Sequence, residues 1–169
     1  FPEIFDPKAK SEIVKTDPLG WTGGFAAMVG NPPWERVKLQ EKEFFAQRDE
    51  SIANAKNAAA RKKAIAALAD VHPGLLAEWR EAGHESEATS QFLRKSGRYP
   101  LTGTGDVNTY SVFAELFRSS VSHSGRMGII TPTGLATDAT AAAFFADTVR
   151  AGRLIAFYDF ENEANIFEG

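Results

Sequence analysis

The chain has 169 residues, 43% of them hydrophobic, with no cysteine and a net charge of −3. That is enough apolar mass for one domain with a buried core, and it excludes a disulfide scaffold. The charge argues against a bulk polyanion binder, no apolar run approaches membrane-spanning length, and no charged-then-apolar leader opens the chain.

Residues 1–24 read as irregular, with Pro2, Pro7 and Pro18 and the turn residues Asp17-Pro18-Leu19-Gly20 and Gly23-Gly24. The continuous apolar run Phe25-Ala26-Ala27-Met28-Val29 predicts a buried parallel strand covered on both faces. Gly30 and the tetrapeptide Asn31-Pro32-Pro33-Trp34 follow it. Residues 35–69 are rich in Ala, Glu, Lys, Gln and Arg without Gly or Pro, and predict helix. His72-Pro73-Gly74 breaks that helix. A second helix is expected over residues 75–82, ended by Gly83, and a third over residues 85–95, before a loop at 97–105.

The pattern then changes. Tyr110, Phe113, Leu116, Phe117 and Val121 recur at helical spacing, with Asp106 or Asn108 as the cap and residues 122–125 as the end. Met127-Gly128-Ile129-Ile130-Thr131 predicts a second strand, stopped by Pro132. Thr137 or Asp138 caps a helix with Phe144, Phe145 and Val149 on its inner face, closed by Gly152. Leu154-Ile155-Ala156-Phe157-Tyr158 predicts a third strand. Strand, helix, strand, helix, strand implies an α/β fold: a partial doubly wound parallel sheet with right-handed crossovers. Residues 1–34 and 106–169 would form it, and residues 35–105 would be a helical insertion.

In open α/β sheets, ligands bind beyond the carboxyl ends of the strands. Asn31 to Trp34 falls at such an end, as do Thr131-Pro132-Thr133-Gly134 and Asp159-Phe160-Glu161-Asn162. Neither proline of the tetrapeptide has an N–H and each fixes its own φ, so the turn is stiff before any ligand arrives. The Asn31 carboxamide oxygen and the Pro32 carbonyl can both accept hydrogen bonds from one exocyclic NH2, and the Trp34 ring offers a face for a planar base. Such a tetrapeptide would arise by chance in roughly one chain in 200 of this length at average residue usage. A strand-ending turn with a core Trp is the alternative.

Gly30-Asn31-Pro32-Pro33-Trp34 resembles the catalytic motif of the amino-group DNA methyltransferases. The resemblance extends to residues 1–5, Gly24-Phe25, residues 31–45, Asn108-Thr109-Tyr110 with Phe113, and residues 125–134 and 158–167. It is to the large adenine-specific methylases of the Eco57I type, found in restriction-modification and phage-defence systems. It implies a Rossmann-like sheet, S-adenosylmethionine as methyl donor, duplex DNA as partner and a cytoplasmic setting. It implies adenine-N6 methylation with Asn31, Pro32, Pro33 and Trp34 as catalytic motif and Asn31 touching the cofactor. The adenine must be flipped out of the duplex. Trp34 would stack on it, with a second aromatic from the later loop: Phe167 in the first place, Phe160 in the second.

The chain departs from that family in places. The glycine-rich cofactor turn and the acidic ribose ligand are missing, and Ala26 stands where the family often has Asp. The cofactor site is therefore expected to be incomplete. The chain, which opens at Phe1, reads as a piece of a larger polypeptide that would supply the rest, and is expected to be inactive alone. The three histidines, His72, His84 and His123, lack ligand spacing, so no metal site is expected. Residues 35–105 carry 12 basic and 10 acidic side chains, residues 106–169 carry 4 and 8. Phosphate contacts are therefore expected from the middle, with Arg36, Lys38, Arg61, Lys62 and Lys63 as candidates; an ordinary solvated helix face has the same composition. A methylase acting on RNA or on a glutamine side-chain amide remains open, as does a non-catalytic module binding DNA or a partner.

Overall fold

The computed structural model describes residues 5–6 and 22–161, with side chains from Gly23 onward. The fold is mixed α/β, with a two-stranded parallel sheet and several helices. Two short strands, β1 (Phe5–Asp6) and β2 (Thr22–Gly23), pair antiparallel. β3 (Phe25–Gly30) then runs parallel to β4 (Val121–Ile129), with Met28 opposite Met127 and Gly30 opposite Ile129. The register slips between Phe25 and Ala27. Gly24 sits at that irregularity with φ of 122°, and a Cβ on it would come within 2.6 Å of the Ser122 nitrogen. Only glycine combines that dihedral with so close a neighbour.

All the intervening helices lie in the crossover from β3 to β4. The single helix expected over residues 35–69 is three: α1 (Glu41–Ala46), α2 (Glu50–Ala53) and α3 (Ala58–Val71). Side-chain caps explain the breaks. Asp49 accepts the Ile52 N–H at 3.2 Å and Asn57 accepts the Ala60 N–H at 2.8 Å. Each satisfies a backbone donor that a helix start leaves orphaned. Residues 35–40 are not helical. They are irregular, with bends at Val37 and Lys38, and Arg36 bridges Asn108.

The two helices expected on either side of Gly83 are one, α4 (Pro73–Lys95). His72 caps it through Nδ1, 3.1 Å from the Leu75 nitrogen, and Pro73 takes the first turn. Gly83 costs about 1 kcal/mol inside a helix. Packing at both ends outweighs that cost. Leu75 and Leu76 join Phe44, Phe45, Ile52, Ile65 and Leu68 in one buried cluster, and Leu93 joins Val107 and Val112 in another. Burying one such side chain contributes about 1.5–3 kcal/mol.

The last third follows the expected order with three corrections, one being that the helix of Phe144 is capped at Ala141 rather than at Thr137 or Asp138. The helix of Tyr110 and Phe117 is α5 (Thr109–Ser120), and β4 begins at once after it, so residues 122–125 belong to the strand rather than to a helix end. Beyond β4 come a short turn of helix, α6 (Gly134–Thr137), and α7 (Ala142–Arg150), which buries Phe144 and half-buries Phe145. Arg118 on α5 pairs with Asp147 on α7 and donates to Thr148 at 3.1 Å. That charge pair holds the Asp147 carboxyl below its usual range.

The third strand expected over residues 154–158 does not form. The segment is exposed, and no described segment pairs with it. An apolar run becomes a strand only when a neighbour supplies the ladder bonds. For the same reason β3 is not covered on both faces among the described residues. Ala26 and Ala27 are exposed and Val29 is 84% exposed. α5 reaches the strand at Gly30, where a Cβ would meet the Phe117 ring at 3.1 Å.

Candidate functional site

Asn31 leaves the carboxyl end of β3, and the sheet's last bond, Ile130 N–H to the Gly30 carbonyl at 3.0 Å, places the loop after β4 beside it. The two loops therefore start from adjacent points on one sheet edge. Within the turn, Trp34 Nε1 donates to Asn31 Oδ1 at 3.0 Å. An indole nitrogen is a donor only, so the amide oxygen faces the ring and the NH2 points away. The oxygen keeps a second lone pair. Pro32 is buried; Asn31, Pro33 and Trp34 are exposed, Trp34 by 54%. Its ring is therefore not a core side chain.

Thr109, the first residue of α5, grips both sides of Trp34. Its hydroxyl lies 2.7 Å from the Pro33 carbonyl, to which it donates, and accepts the Glu35 N–H at 3.1 Å. Its own N–H donates to the Glu35 carbonyl at 2.9 Å, and Val37 N–H reaches the Val107 carbonyl at 3.0 Å. A residue 76 positions away in the chain thus sets the backbone on which the indole is mounted. The Pro33 carbonyl is committed to Thr109, whereas no described donor reaches the Pro32 carbonyl. Sequence reasoning named Thr109 only as part of a resemblance. A hydroxyl at a helix start was the available signal, and helix starts are where such groups cap backbone.

The neighbouring loop is also tied down. Tyr110 donates to Asp138 Oδ2 at 3.0 Å and receives Asn108 Nδ2 at 3.4 Å. Burial, then the Asp138 bond, pushes the Tyr110 hydroxyl above its ordinary range. Gly134 lies against this pair: a Cβ there would fall 2.8 Å from the Tyr110 hydroxyl. Thr133 Oγ1 donates to Asp159 Oδ1 at 3.1 Å, which fixes the residue before Phe160 at the loop after β4. Phe160 itself is 86% exposed and is not part of the core. Phe167 lies outside the described residues.

The basic candidates separate. Arg36 and Lys38 are exposed on the irregular run after Trp34, and Lys62 and Lys63 are exposed on α3. Arg61 is a correction. It is 6% exposed, and its guanidinium donates to the carbonyls of Ile52 at 3.2 Å and Ala53 at 3.4 Å, with Glu41 at 3.7 Å. A group that closes the end of α2 inside the helical cluster is not on the surface a phosphate would meet.

Two cavities, of about 140 and 410 Å³, are lined by residues of the 36–43 run with Arg61, Ser90, Arg94, Asp106 and Val107, and neither contains Asn31 or Trp34. At the sheet edge the described residues bring together an amide, a carbonyl and a ring. Among the described residues no cluster of His, Asp or Glu has metal-site geometry, and no helix is long and apolar enough to cross a membrane. Comparison of the chain with family models, with curated proteins and with solved structures returns no match.

Proposed function

We propose that this chain carries the amine-binding part of a DNA adenine-N6 methyltransferase, within a restriction-modification or phage-defence protein. The observation that carries the reading is the Trp34–Asn31 bond at the carboxyl end of a parallel strand. A free carboxamide can rotate, but this one presents its oxygen, with one lone pair unused, beside a half-exposed ring. The buried Pro32 follows it with a carbonyl that no described donor occupies.

An adenine stacked on Trp34 would place its NH2 against those two acceptors. The N6 lone pair is delocalised into the ring and is a poor nucleophile. Two hydrogen bonds accepted from its N–H groups favour a pyramidal nitrogen, which localises that lone pair on N6 toward an incoming methyl. As the N–C bond forms the donor's S–C bond would break, and one N–H proton would leave to solvent. Holding the amine in that attitude contributes by orientation, and acceptors fixed before the reaction contribute electrostatically. The bound donor, S-adenosylmethionine, supplies the electrophilic methyl. Base extrusion costs a few kcal/mol, and stacking on an aromatic face offsets about 1–3 kcal/mol of it.

The test uses the intact natural protein that carries this sequence, a labelled methyl donor and duplex DNA. Asn31→Ala should lower transfer by about 100-fold or more, with the melting temperature unchanged because Asn31 is exposed. Methylation at the wild-type rate in Asn31→Ala would refute the reading. Parallel arms with RNA and with a glutamine-containing peptide decide the amine class.

A further inference from the structure

Arg36 and Lys38 stand on the run that follows Trp34, and both line the cavity of about 140 Å³ together with Ser90, Arg94, Asp106 and Val107. Val37 between them also lines the cavity and packs against the cluster of Leu93, Val107 and Val112. That packing anchors the run that carries the two cations. Arg94 closes the far wall from α4, with Nη2 fixed by the Gly105 carbonyl at 2.7 Å. Neither Arg36 nor Lys38 forms an ion pair with a described residue. Three cations against the one carboxylate of Asp106 leave the notch positive, and a concave setting concentrates that field.

We propose that this notch is a phosphodiester site that grips the DNA backbone beside the extruded base. The proposal rests on the DNA reading above and moves the contact from the face of α3 to the run after Trp34. Arg36 is two residues from Trp34, at most about 7 Å of chain, so a phosphate held here lies close to the base that meets the indole. Guanidinium groups suit the task because their planar fork matches phosphate oxygens. Asp106 limits the affinity by repulsion. A site that releases product needs such a limit, and its carboxylate makes the assignment testable.

The experiment is fluorescence anisotropy of a labelled DNA duplex with this chain, across about 50–200 mM salt. Arg36→Gln with Lys38→Gln should weaken binding about tenfold or more and reduce the salt slope by about 1–2. Asp106→Asn should tighten it about two- to threefold. Lys62→Gln with Lys63→Gln should change neither affinity nor slope. Three results would each overturn the proposal: no duplex binding at the lowest salt, an unchanged slope in the double variant at 36 and 38, or no gain in Asp106→Asn. The last is a gain of binding, which a misfolded variant does not mimic. Binding is read without methyl donor, so failed methyl transfer would end the enzyme reading and leave this result standing.

Discussion

Replacing Arg61 by Met separates an inward role from a surface role. Met keeps an unbranched stem of similar length and removes the guanidinium. In the folded protein that group donates to the Ile52 carbonyl at 3.2 Å and, more weakly, to the Ala53 carbonyl at 3.4 Å. Both carbonyls end α2; that of Ile52 also accepts the Ala55 N–H at 3.3 Å, whereas no described backbone donor reaches that of Ala53. A charge-assisted bond of this kind contributes about 1.5–3 kcal/mol, and an acceptor left buried without a donor adds to the loss. The Glu41 carboxylate, 3.7 Å away and partly exposed, adds about 0.5 kcal/mol at most. Against this, removing a buried cation recovers part of its desolvation cost. The balance is a loss of about 2 kcal/mol, or about 4–8 °C in melting temperature for a chain this long. Trp79 is a suitable reporter, because its ring packs 5.1 Å from Phe44 and 5.3 Å from Phe45 in the same cluster. Urea unfolding followed by its fluorescence should show the loss in Arg61→Met. Lys62→Met and Lys63→Met, at exposed positions, should stay within about 0.5 kcal/mol. If Arg61→Met is as stable as the parent and loses DNA affinity instead, the cap assignment is wrong.

Glu115 is buried and accepts three bonds, from Leu101 N–H at 3.2 Å, Thr102 N–H at 2.9 Å and the Thr102 hydroxyl at 2.6 Å. Glu115→Ala should therefore cost about 3 kcal/mol in urea unfolding, and a loss below about 1 kcal/mol would contradict the arrangement. Thr109→Val removes the hydroxyl between Pro33 and Glu35 while keeping its shape. Hydrogen exchange at the Glu35 amide should accelerate about tenfold, and Thr109→Ser should restore protection; equal protection in all three proteins would refute the clamp. The Asp147 carboxyl is lowered by Arg118. Its contribution to stability is then present above the unfolded value near 3.9 and lost as pH falls through the lower folded value. Acid titration of Asp147→Asn should show a shallower loss of stability below about pH 4 than the parent, and parallel curves would sink the assignment.

Several elements were legible because their signal is local. The strand from Phe25, the stop at the two prolines, and the stripes of α5 and α7 need nothing beyond neighbouring residues. The apolar run 154–158 has the same local signature as β3, yet it stays unpaired among the described residues. Strand formation depends on a second strand, and the run carries no information about where that strand is. Gly83 read as a helix end because glycine is costly there, and two hydrophobic clusters, at opposite ends of α4, kept the helix intact. At the site, Asn31 and Trp34 were visible in the motif. Their mutual hydrogen bond was not, because a side chain's partner is not written in its spacing.

Residue order alone thus determined where a rigid amide-and-aromatic corner would fall and which segments favour helix, since dihedral preference and apolar period act over a few residues. Only the folded chain decided which of the basic side chains face water. Arg61 and Lys62 are adjacent in sequence and alike in charge, yet one turns inward to the carbonyls that end α2 and the other is exposed. The helix end decided that choice, because its carbonyls give a guanidinium withdrawn from solvent the acceptors that offset its desolvation.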